Sequence, residues 1–491
     1  MKKLRDILPT DIETTFGNLD VEIKGIEYDS RKIKKGYIFV ALPGNKIDGS
    51  SFIYDVLERG ASAIMLESNR KNIEASVVKV ANARKALSET SMLFYDNPSA
   101  SMRLYGITGT KGKTTISYII QSILKHAYGK ALRIGTVEYD LDYEKLPASN
   151  TTPESAFLQE MCYKALHNGV KHGVIEVSSH ALKNWRVENM TFSVAGFTNL
   201  SLEHTEFHPD MEDYFNTKKR LFTEIALKNK PCVIGIDCEY GLRMAKECKE
   251  AGLKVKTVSL YNHNADFYCD NLKMSGSGSD FKICSSSGEQ NQCHLALPGE
   301  YNVFNAIMAS AMCRCDNVEW DHICAGIMSL DNVPGRMENI TNNAGINVVV
   351  DYAHSPAALE NVLISLRKLT RGKLIVVFGC GGNRSKEKRP VMGKTAFDNA
   401  DIVFVTSDNP RHEKPDEIVN QILKGIPEER GEKTVLVEVD RRNAIYSALK
   451  MANSGDTVVI AGKGHETGQY INDETIPFDD REVAREYFEG I

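Results

Sequence analysis

The sequence predicts an α/β fold class with three domains: a smaller N-terminal α/β domain, a central phosphate-loop domain with a mostly parallel sheet, and a C-terminal Rossmann-like domain. First, apolar strand segments alternate with helical stretches, which is typical of parallel sheets covered by helices. Second, a glycine-rich turn joins a strand to a helix at residues 106–115. Third, turn-forming segments at 96–98 and 333–335 divide a chain of 491 residues, which is too long for one core.

These turns place the domain borders at 1–97, 98–332 and 333–491. The strands of the two larger domains are recognised by short apolar runs that end in polar residues. In the central domain they are predicted at 173–177, 194–198 and 233–236, and in the C-terminal domain at 346–350, 374–378, 402–405 and 457–460. The Gly- and Ser-rich residues 275–279 are predicted to form a hairpin turn.

Composition and charge narrow the class of protein. Hydrophobic residues make up 42% and charged residues 25% of the chain, as in ordinary globular proteins. The formal net charge of -5 favours neither nucleic-acid nor membrane binding, and no apolar stretch reaches the roughly 18 residues that span a bilayer. The first residues lack the apolar region of a secretory signal, and the 11 cysteines include no Cys-x-x-Cys pair. We therefore expect a cytoplasmic protein with reduced thiols. A monomer is also expected.

The segment 106–115 is the most informative in the chain. A strand precedes it, and apolar residues recur at helical spacing over 116–127. Glycines allow backbone amides to approach phosphates at a helix N-terminus, where Lys113 would reach the β and γ phosphates and the Thr114 hydroxyl would bind Mg²⁺. The usual pattern has glycine where Ile107 stands. The alternative is a tight strand–helix turn without a ligand.

Polar residues follow two further strands of the predicted central sheet. Glu176 ends one strand and is placed to bind Mg²⁺, although a structural role is equally open. Asn199, His204 and His208 follow the next strand, where a single histidine is more often a loop residue. Lys218 reads as one charge on a solvated helix face.

The C-terminal strands also end in polar clusters. Asp351 begins a segment with an aromatic ring and an imidazole, which suits a nucleoside contact or a helix-capping turn. Residues 379–390 are glycine-rich and then cationic, which favours an anion or carboxylate site. Residues 407–413 and 462–466 carry both signs of charge. Both signs at one sheet edge suit a zwitterionic ligand such as an amino acid.

Together these motifs resemble those of the Mur ligases, over nearly the whole chain. The motifs that carry the resemblance lie in the same order and spacing, at 109–115, 151–154, 176–180, 199–204, 297–305, 334–336 and 351–354. Asp29-Ser-Arg31 with Asp48-Gly49, and the segments 408–411 and 462–466, are similar to those of family members that add a diamino acid.

The resemblance implies ATP and a uridine diphosphate (UDP)-linked muramoyl dipeptide as substrates. ATP would be held by Gly109, Thr110, Lys111, Gly112, Lys113, Thr114 and Thr115, together with Asn305, Arg336 and Asp351. The uridine diphosphate would lie near Ser30 and Arg31. The dipeptide would be held by Asn150, Thr151, Thr152, Ser178 and Arg186.

Two Mg²⁺ sites are also implied by the resemblance. Thr114 and Glu176 would hold the first ion, and His204 with Lys218 the second. In the family the lysine is carbamylated, which converts a cation into an anionic oxygen ligand. Lys113, Glu176, His204 and Lys218 are thus the expected catalytic residues.

The reaction implied is phosphoryl transfer from ATP to the D-glutamate γ-carboxylate, followed by attack of a diamino acid on the acyl phosphate. The residues expected to select that amino acid are Arg384, Asp408, Asn409, Arg411, Gly462 and Glu466. Arg411 can hold a second carboxylate bidentately, so meso-2,6-diaminopimelate is expected. Lanthionine and L-lysine remain alternatives.

Three residues depart from the family pattern: Lys111 replaces an asparagine, and Glu203 and Asn383 each stand where aspartate is common. The Asn383 change removes a negative charge beside the amino-acid site. Three other readings stay open: a folylpolyglutamate synthetase of the same superfamily, a nucleotide-binding scaffold without catalysis, and a phosphate-loop NTPase acting as a switch.

Overall fold

A computed structural model describes residues 1–44, 47–68, 73–203, 207–226, 229–275 and 278–490. The chain divides into two compact units. One contains residues 1–269, 283–291 and 305–327, and the other contains 270–282, 292–304 and 328–491. Both are α/β structures with mostly parallel sheets.

The N-terminal part of the first unit is built on a five-stranded sheet. Strands β4 to β7 are parallel and β2 joins β7 antiparallel, in the order β2-β7-β6-β5-β4, while β1 pairs with β3. All four residues of β6 are buried, as expected for a central strand covered on both faces. The elements are β1 Lys2–Lys3, β2 Ile12–Phe16, β3 Glu22–Ile23, β4 Gly25–Glu27, β5 Tyr37–Val40, α1 Ile53–Glu58, β6 Ala63–Leu66, β7 Ser76–Val80 and α2 Ala83–Phe94.

The following sheet has eleven strands in the order β11-β10-β9-β12-β8-β13-β14-β15-β16-β17-β18. Strands β9, β12, β8, β13, β14, β15 and β16 pair in parallel. The elements are β8 Arg103–Thr108, α3 Lys113–Tyr128, β9 Leu132–Ile134, β10 Glu138–Asp140, β11 Lys145–Pro147, α4 Ser155–His167, β12 His172–Glu176, α5 Ser179–Lys183, β13 Val194–Phe197, α6 Met211–Arg220, β14 Pro231–Gly235, α7 Glu239–Glu250, β15 Lys254–Ser259, β16 Phe267–Ser275, β17 Gly278–Ser285, β18 Gln290–Leu295, α8 Glu300–Cys315 and α9 Trp320–Met328.

The central strands predicted from apolar runs are confirmed as β12, β13 and β14. The helix after the glycine-rich turn is also confirmed, because Ile116, Ile119, Ile120 and Ile123 of α3 are fully buried on one side. Residues 276–277 of the predicted hairpin turn lie outside the described residues.

The C-terminal sheet has the order β19-β20-β24-β21-β22-β23, with only β19 antiparallel. Its four predicted strands are confirmed as β20, β21, β22 and β24, whereas the two outer strands β19 and β23 were not predicted. The elements are β19 Glu338–Asn339, β20 Asn347–Asp351, α10 Pro356–Arg367, β21 Leu374–Phe378, α11 Lys388–Asn399, β22 Ile402–Val405, α12 Pro415–Leu423, β23 Thr434–Val437, α13 Arg441–Met451, β24 Thr457–Ala461, β25 Gly468–Ile471, β26 Glu474–Pro477 and α14 Asp480–Glu489.

Helices cover both faces of this sheet, and each face has its own apolar core. The strand residues are therefore buried on both sides, as in β21, where all five are buried. Within the part of the chain that the structure describes, no helix is long and apolar enough to cross a membrane.

Candidate active site

Three neighbouring strands bring Glu176 and the phosphate loop to one edge of the central sheet. Strand β8 lies between β12 and β13, with Glu176 paired to Ile107 and Phe197 paired to Thr108. The segments that follow these parallel strands therefore emerge side by side, as expected for a ligand site at the carboxyl edge of a sheet.

The phosphate loop is held in place by the residues that follow β13. The amides of Thr110 and Lys111 donate to the backbone oxygen and Oδ1 of Asn199, at 2.9 and 3.0 Å. Thr198 Oγ1 donates to the Lys111 oxygen at 2.6 Å. Gly109 has a φ of 148°, and a Cβ there would lie 1.9 Å from Thr198 Oγ1, so only glycine fits. The loop is thus preformed.

Two lysine side chains converge on one carbonyl oxygen of this loop. Lys113 Nζ donates to the Gly109 oxygen at 2.8 Å, and Lys218 Nζ donates to the same oxygen at 2.9 Å. Lys218 is only 1% exposed, so its predicted position on a solvated helix face was wrong. Burial lowers the pKa of Lys218 well below its usual value, and the charge of Lys113 lowers it further, against a smaller opposing effect of Glu203.

Glu176 is a fully buried carboxylate surrounded by donors. Its Oε2 accepts from Thr114 Oγ1 at 3.0 Å and Thr136 Oγ1 at 2.9 Å. Its Oε1 accepts from Ser117 Oγ at 3.3 Å and the Thr136 amide at 3.2 Å. The predicted pair Thr114–Glu176 is therefore brought together, with the hydroxyl groups of Thr136 and Ser117 beside it.

Sequence reasoning missed Thr136. It follows strand β9, which pairs with β12, and Gly135 lets it approach because a Cβ there would lie 2.1 Å from Glu176 Oε1. The signal in the sequence was a Gly-Thr pair directly after the short segment Leu132–Ile134, whose central arginine makes it a weaker strand pattern than the others.

The segment 150–154 is tied to the same strand end. Thr152 Oγ1 donates to the Glu176 backbone oxygen at 2.6 Å and accepts from the Ser178 amide at 3.0 Å. Arg186 Nη1 donates to the Thr152 oxygen at 2.8 Å, and its Nη2 lies 2.7 Å from Glu154 Oε1. Thr152, Ser178 and Arg186 therefore form one connected group, to which Glu154 belongs although it was not predicted.

Asn150 and Thr151 lie beside this group. Thr151 Oγ1 is 3.1 Å from Thr136 Oγ1, and the Asn150 oxygen accepts from the Tyr139 hydroxyl at 2.7 Å. Thr151 thus joins this segment to the turn between β9 and β10, and Asn150 joins it to β10.

The two histidines predicted near this edge have different outcomes. His204 lies outside the described residues. His208 is buried, with Nδ1 2.5 Å from Asp213 Oδ2 and Nε2 3.0 Å from Ser179 Oγ. Because both ring nitrogens have protein partners, His208 joins α6 to the loop before it and to α5.

Asn305 and Thr115 complete the surroundings of the loop. Asn305 is 4% exposed, and a Cβ on Gly112 would lie 2.6 Å from its Oδ1, so the start of α3 closely approaches this side chain. Thr115 is buried in the first turn of α3.

In the N-terminal domain, Ser30 and Arg31 form a short 3-10 turn capped by Asp29. The Arg31 side chain is 84% exposed, and its hydrogen bond holds the pKa of Asp29 below the usual value.

In the second unit, Arg336 and Asp351 are the residues predicted to contact ATP, and Arg336 directly follows the turn at residues 334–335. Arg336 stacks over the Tyr352 ring at 4.8 Å, and Tyr352 lies 5.0 Å from the His465 ring. Burial lowers the pKa of His465 to about 3, so this imidazole is neutral at pH 7. Asp351 Oδ2 accepts from the Met337 amide at 2.8 Å, which fixes the carboxylate beside Arg336.

The residues predicted to select the amino acid gather after β22 and β24. Asp408 and Asn409 are buried, and a Cβ on Gly462 would lie 2.6 Å from Asp408 Oδ2. Asn409 Nδ2 donates to Glu466 Oε2 at 2.8 Å. Arg411, which is half-buried with a φ of 53°, donates from Nη1 to the Gly382 oxygen at 2.8 Å. We call these residues the clamp.

Arg384 is exposed in the loop after β21, next to the unusual Asn383. Asn383 has a φ of 53°, a conformation that asparagine tolerates, and its amide donates to Glu413 Oε1 at 2.6 Å. Glu413 also pairs with the fully buried Arg389 at 2.8 Å. Arg389 lowers the pKa of Glu413 to about 2. This ion pair ties the loop 381–384 to the clamp.

Comparison with known proteins shows the family of this chain. The Mur ligase family catalytic domain matches residues 22–95, the Mur ligase middle domain matches 107–313, and the Mur ligase glutamate ligase domain matches 335–464. The UDP-N-acetylmuramoyl-L-alanyl-D-glutamate--2,6-diaminopimelate ligase 1 of Clostridium acetobutylicum is 40% identical over 494 residues, covering 100% of each chain. The chain belongs to the Mur ligase family and is an ATP-dependent ligase.

Solved structures show the same fold. A UDP-N-acetylmuramoyl-L-alanyl-D-glutamate--2,6-diaminopimelate ligase has a TM-score of 0.70 at 31% identity, covering 100% of this chain and 99% of that one. The MurF ligase of Thermotoga maritima, solved in complex with ADP, has a TM-score of 0.67 at 20% identity, covering 96% and 98%. The predicted fold class, with mostly parallel sheets in a Mur ligase architecture, is confirmed.

Proposed function

We propose that this ligase adds meso-2,6-diaminopimelate to the D-glutamate γ-carboxylate of UDP-N-acetylmuramoyl-L-Ala-D-Glu, in the cytoplasmic synthesis of peptidoglycan precursors. The observation that carries the proposal is the junction at Glu176, whose side chain accepts from Thr114 of the phosphate-loop helix while its backbone oxygen accepts from Thr152. This residue joins a nucleotide-binding segment to the segment proposed for the dipeptide. The names of the relatives at about 40% identity support the same substrates.

The reaction has two steps. A γ-carboxylate oxygen attacks the γ-phosphorus of ATP, and the bond to the β-phosphate oxygen breaks, giving ADP and an acyl phosphate. The amine of the diamino acid then attacks the acyl carbon, loses a proton, and displaces phosphate. Lys113 would swing from the Gly109 oxygen to the transferring phosphate and offset its developing charge.

The donor set at Glu176 fits Mg²⁺, which prefers oxygen ligands. Thr114 and Glu176 would hold one ion, and His204 and Lys218 a second. When bound, the ions supply positive charge that stabilises the phosphate oxygens. The remaining residues proposed for ATP are those of the phosphate loop with Asn305, Arg336 and Asp351.

We also propose that Lys218 is carbamylated. Its amine lies beside the ammonium of Lys113, with both on one carbonyl oxygen, which favours a neutral amine at this position. A neutral amine can attack CO₂: the nitrogen–carbon bond forms, one carbon–oxygen π bond opens to a carboxylate, and the nitrogen loses a proton. A signal from ¹³C-bicarbonate in the NMR spectrum that is absent from Lys218→Met would test this.

The domain borders remain those proposed from the sequence, 1–97, 98–332 and 333–491. Three separate sheets, each with its own hydrophobic core, support this division.

The UDP-muramoyl dipeptide and the diamino acid are the proposed partners of a monomeric enzyme. The eleven cysteines include no Cys-x-x-Cys pair, which supports a reducing compartment.

Arg411 is proposed to bind the carboxylate that meso-diaminopimelate has and L-lysine lacks. Its half-buried guanidinium uses Nη1 on the Gly382 oxygen, which orients the group. Lanthionine, with two carboxylates, would fit the same clamp, and L-lysine would leave it unpaired.

The test is phosphate release from ATP with UDP-N-acetylmuramoyl-L-Ala-D-Glu, Mg²⁺ and bicarbonate, comparing meso-diaminopimelate, lanthionine, L-lysine and L-ornithine. Turnover mainly with meso-diaminopimelate supports the proposal. Preference for L-lysine would retain the ligase and reject the role of Arg411. No turnover with any of the four would favour a nucleotide-binding scaffold.

A further inference from the structure

Lys463 is a buried cation inside the clamp, and sequence reasoning did not select it. It is fully buried in the turn that follows β24. Its Nζ donates to Asn409 Oδ1 at 3.0 Å, Glu466 Oε2 at 3.2 Å and the Gly468 oxygen at 2.6 Å. These three acceptors use all three protons of the ammonium.

These contacts determine which way the Asn409 amide points. Its Oδ1 accepts from Lys463 and from the Tyr470 amide at 3.1 Å, so this atom is the oxygen. Its Nδ2 is then directed to Glu466 Oε2 at 2.8 Å. A flipped amide would place an N–H₂ group against two donors, which is strongly unfavourable.

The same contacts fix the Glu466 carboxylate. Its Oε2 receives both Lys463 and Asn409, whereas no residue in the described part of the chain hydrogen-bonds its Oε1. The Glu466 side chain remains 25% exposed beside a lysine that is 0% exposed. The carboxylate therefore presents one oxygen outward, in a fixed orientation.

We infer that Lys463 is a positioning residue of the clamp, which orients Asn409 and Glu466 so that they bind the ammonium end of the incoming diamino acid. The inference rests on the proposed function, because it concerns the same substrate. The plain alternative is a structural lysine that only joins the turn to β25 through the Gly468 oxygen. The two roles differ in what substitution changes: substrate affinity in the first case, and stability alone in the second.

The test compares Lys463→Met with Lys433→Met. Lys433 also donates to backbone oxygens, including that of Asp398 at 2.8 Å, but it lies outside the clamp. For Lys463→Met we expect the KM for meso-diaminopimelate to rise on the order of ten- to a hundredfold, since charge-assisted contacts are lost. The KM for ATP and for the dipeptide, and kcat at saturating diamino acid, should stay within about twofold of wild type.

A double-mutant cycle makes the test specific. If Lys463 acts through Glu466, the effect of Lys463→Met on this KM should largely disappear in the Glu466→Gln background. Lys463→Gln keeps two donors without the charge and should give an intermediate KM.

Two failures are distinguishable. Absence of diamino-acid-dependent turnover in the wild type rejects the proposed function itself. Wild-type turnover with an unchanged KM in Lys463→Met, or additive effects in the cycle, overturns the inference. If neither Lys463 variant folds while Lys433→Met does, Lys463 is a stability element and the inference is also overturned.

Discussion

The phosphate-loop edge and the clamp lie at the carboxyl ends of parallel strands, but they balance charge in opposite ways. At the phosphate loop, Lys113 and Lys218 share one carbonyl oxygen. In and around the clamp each buried cation has a carboxylate: Arg389 has Glu413, Arg441 has Asp480 and Lys463 has Glu466. Two amino groups on one oxygen favour the neutral form of the buried Lys218 amine, whereas ion pairs hold a fixed shape.

The pair Arg441–Asp480 shows how the clamp is fixed. Both side chains are fully buried, and the guanidinium also donates to the backbone oxygens of Ser407 and Ala461 at 3.2 and 3.0 Å. These two oxygens belong to the ends of the chain segments that carry Asp408 and Gly462. The clamp is therefore built before substrate arrives, which lowers the entropy cost of binding.

The largest expected effect concerns Lys218, whose buried amine should support catalysis and, when unmodified, oppose folding. Lys218→Met should lower kcat on the order of a thousandfold, as loss of a charge-stabilising group does. In bicarbonate-free buffer the melting temperature should rise, because a buried amine with a depressed pKa opposes folding wherever the unfolded lysine is protonated.

The matched control is Lys219→Met, because Lys219 is adjacent but pairs with Glu247 at 2.7 Å near the surface. It should leave kcat unchanged and cost at most about 1 kcal/mol. A Lys218→Met variant with full activity would contradict the contrast between the two edges.

Substitution of Arg411 tests whether the clamp determines which amino acid the enzyme uses. Arg411→Ala should raise the KM for meso-diaminopimelate roughly a hundredfold, at the lower end of the cost of removing a buried charge partner. The KM for L-lysine should change little, because that substrate lacks the second carboxylate. Arg442→Ala, which removes an exposed pair with Glu486, is the control and should change neither KM. Equal effects on both amino acids would show that Arg411 does not read the carboxylate.

Gly109 tests whether the phosphate loop is preformed by close contact. Gly109→Ala should weaken ATP binding on the order of tenfold, because the new Cβ would meet Thr198 Oγ1 and displace the loop. Gly129→Ala is the matched control, since Gly129 also has a positive φ, of 81°, but has nothing within 4 Å of the added carbon. It should cost only about 1 kcal/mol in stability. Similar ATP affinity in both variants would reject the close-contact explanation.

The smallest effect is on the pH dependence of stability. The pKa of Glu413 is lowered from 4.5 to about 2, so its pairing stabilises the fold fully above about 4.5 and is lost as pH falls toward 2. Glu413→Gln should lower the free energy of unfolding at pH 7 on the order of 2 kcal/mol, with the difference shrinking below pH 4.5. Urea midpoints from pH 7 to pH 3.5 measure it, and a difference that stays constant over that range would contradict the assignment.

The parts of the fold and of the site that could be predicted from the sequence are those that a local residue pattern determines. The strands β12, β13, β14, β20, β21, β22 and β24 were found because each is a short apolar run, and the site residues at their ends followed from parallel pairing. The phosphate loop was found because its glycines and lysine are contiguous. Strand β23 was not predicted, although Thr434–Val437 is also a short apolar run; it lies at the edge of its sheet, where only Val435 is buried.

What the sequence could not show depends on packing between distant segments. Lys218 lies in a helix with mostly polar residues, and nothing local indicates that it is buried against the phosphate loop. Lys463 sits between two glycines in a turn, where its burial depends on Asn409 and on the hairpin β25–β26. The roles given to individual site residues from the family resemblance remain predictions, including that of His204.

Glu176 makes contacts both through its side chain and through its backbone oxygen. Its side chain touches the helix that follows the phosphate loop, and its backbone oxygen holds Thr152. A nucleotide that draws Thr114 away from this carboxylate therefore also alters the support of the segment 150–154, which is proposed to bind the dipeptide. Thermodynamic linkage makes any such coupling reciprocal: the factor by which ATP changes dipeptide affinity equals the factor by which dipeptide changes ATP affinity. Because the coupling through Glu176 is reciprocal, it does not itself decide whether ATP or the dipeptide binds first; the rates of binding decide that order.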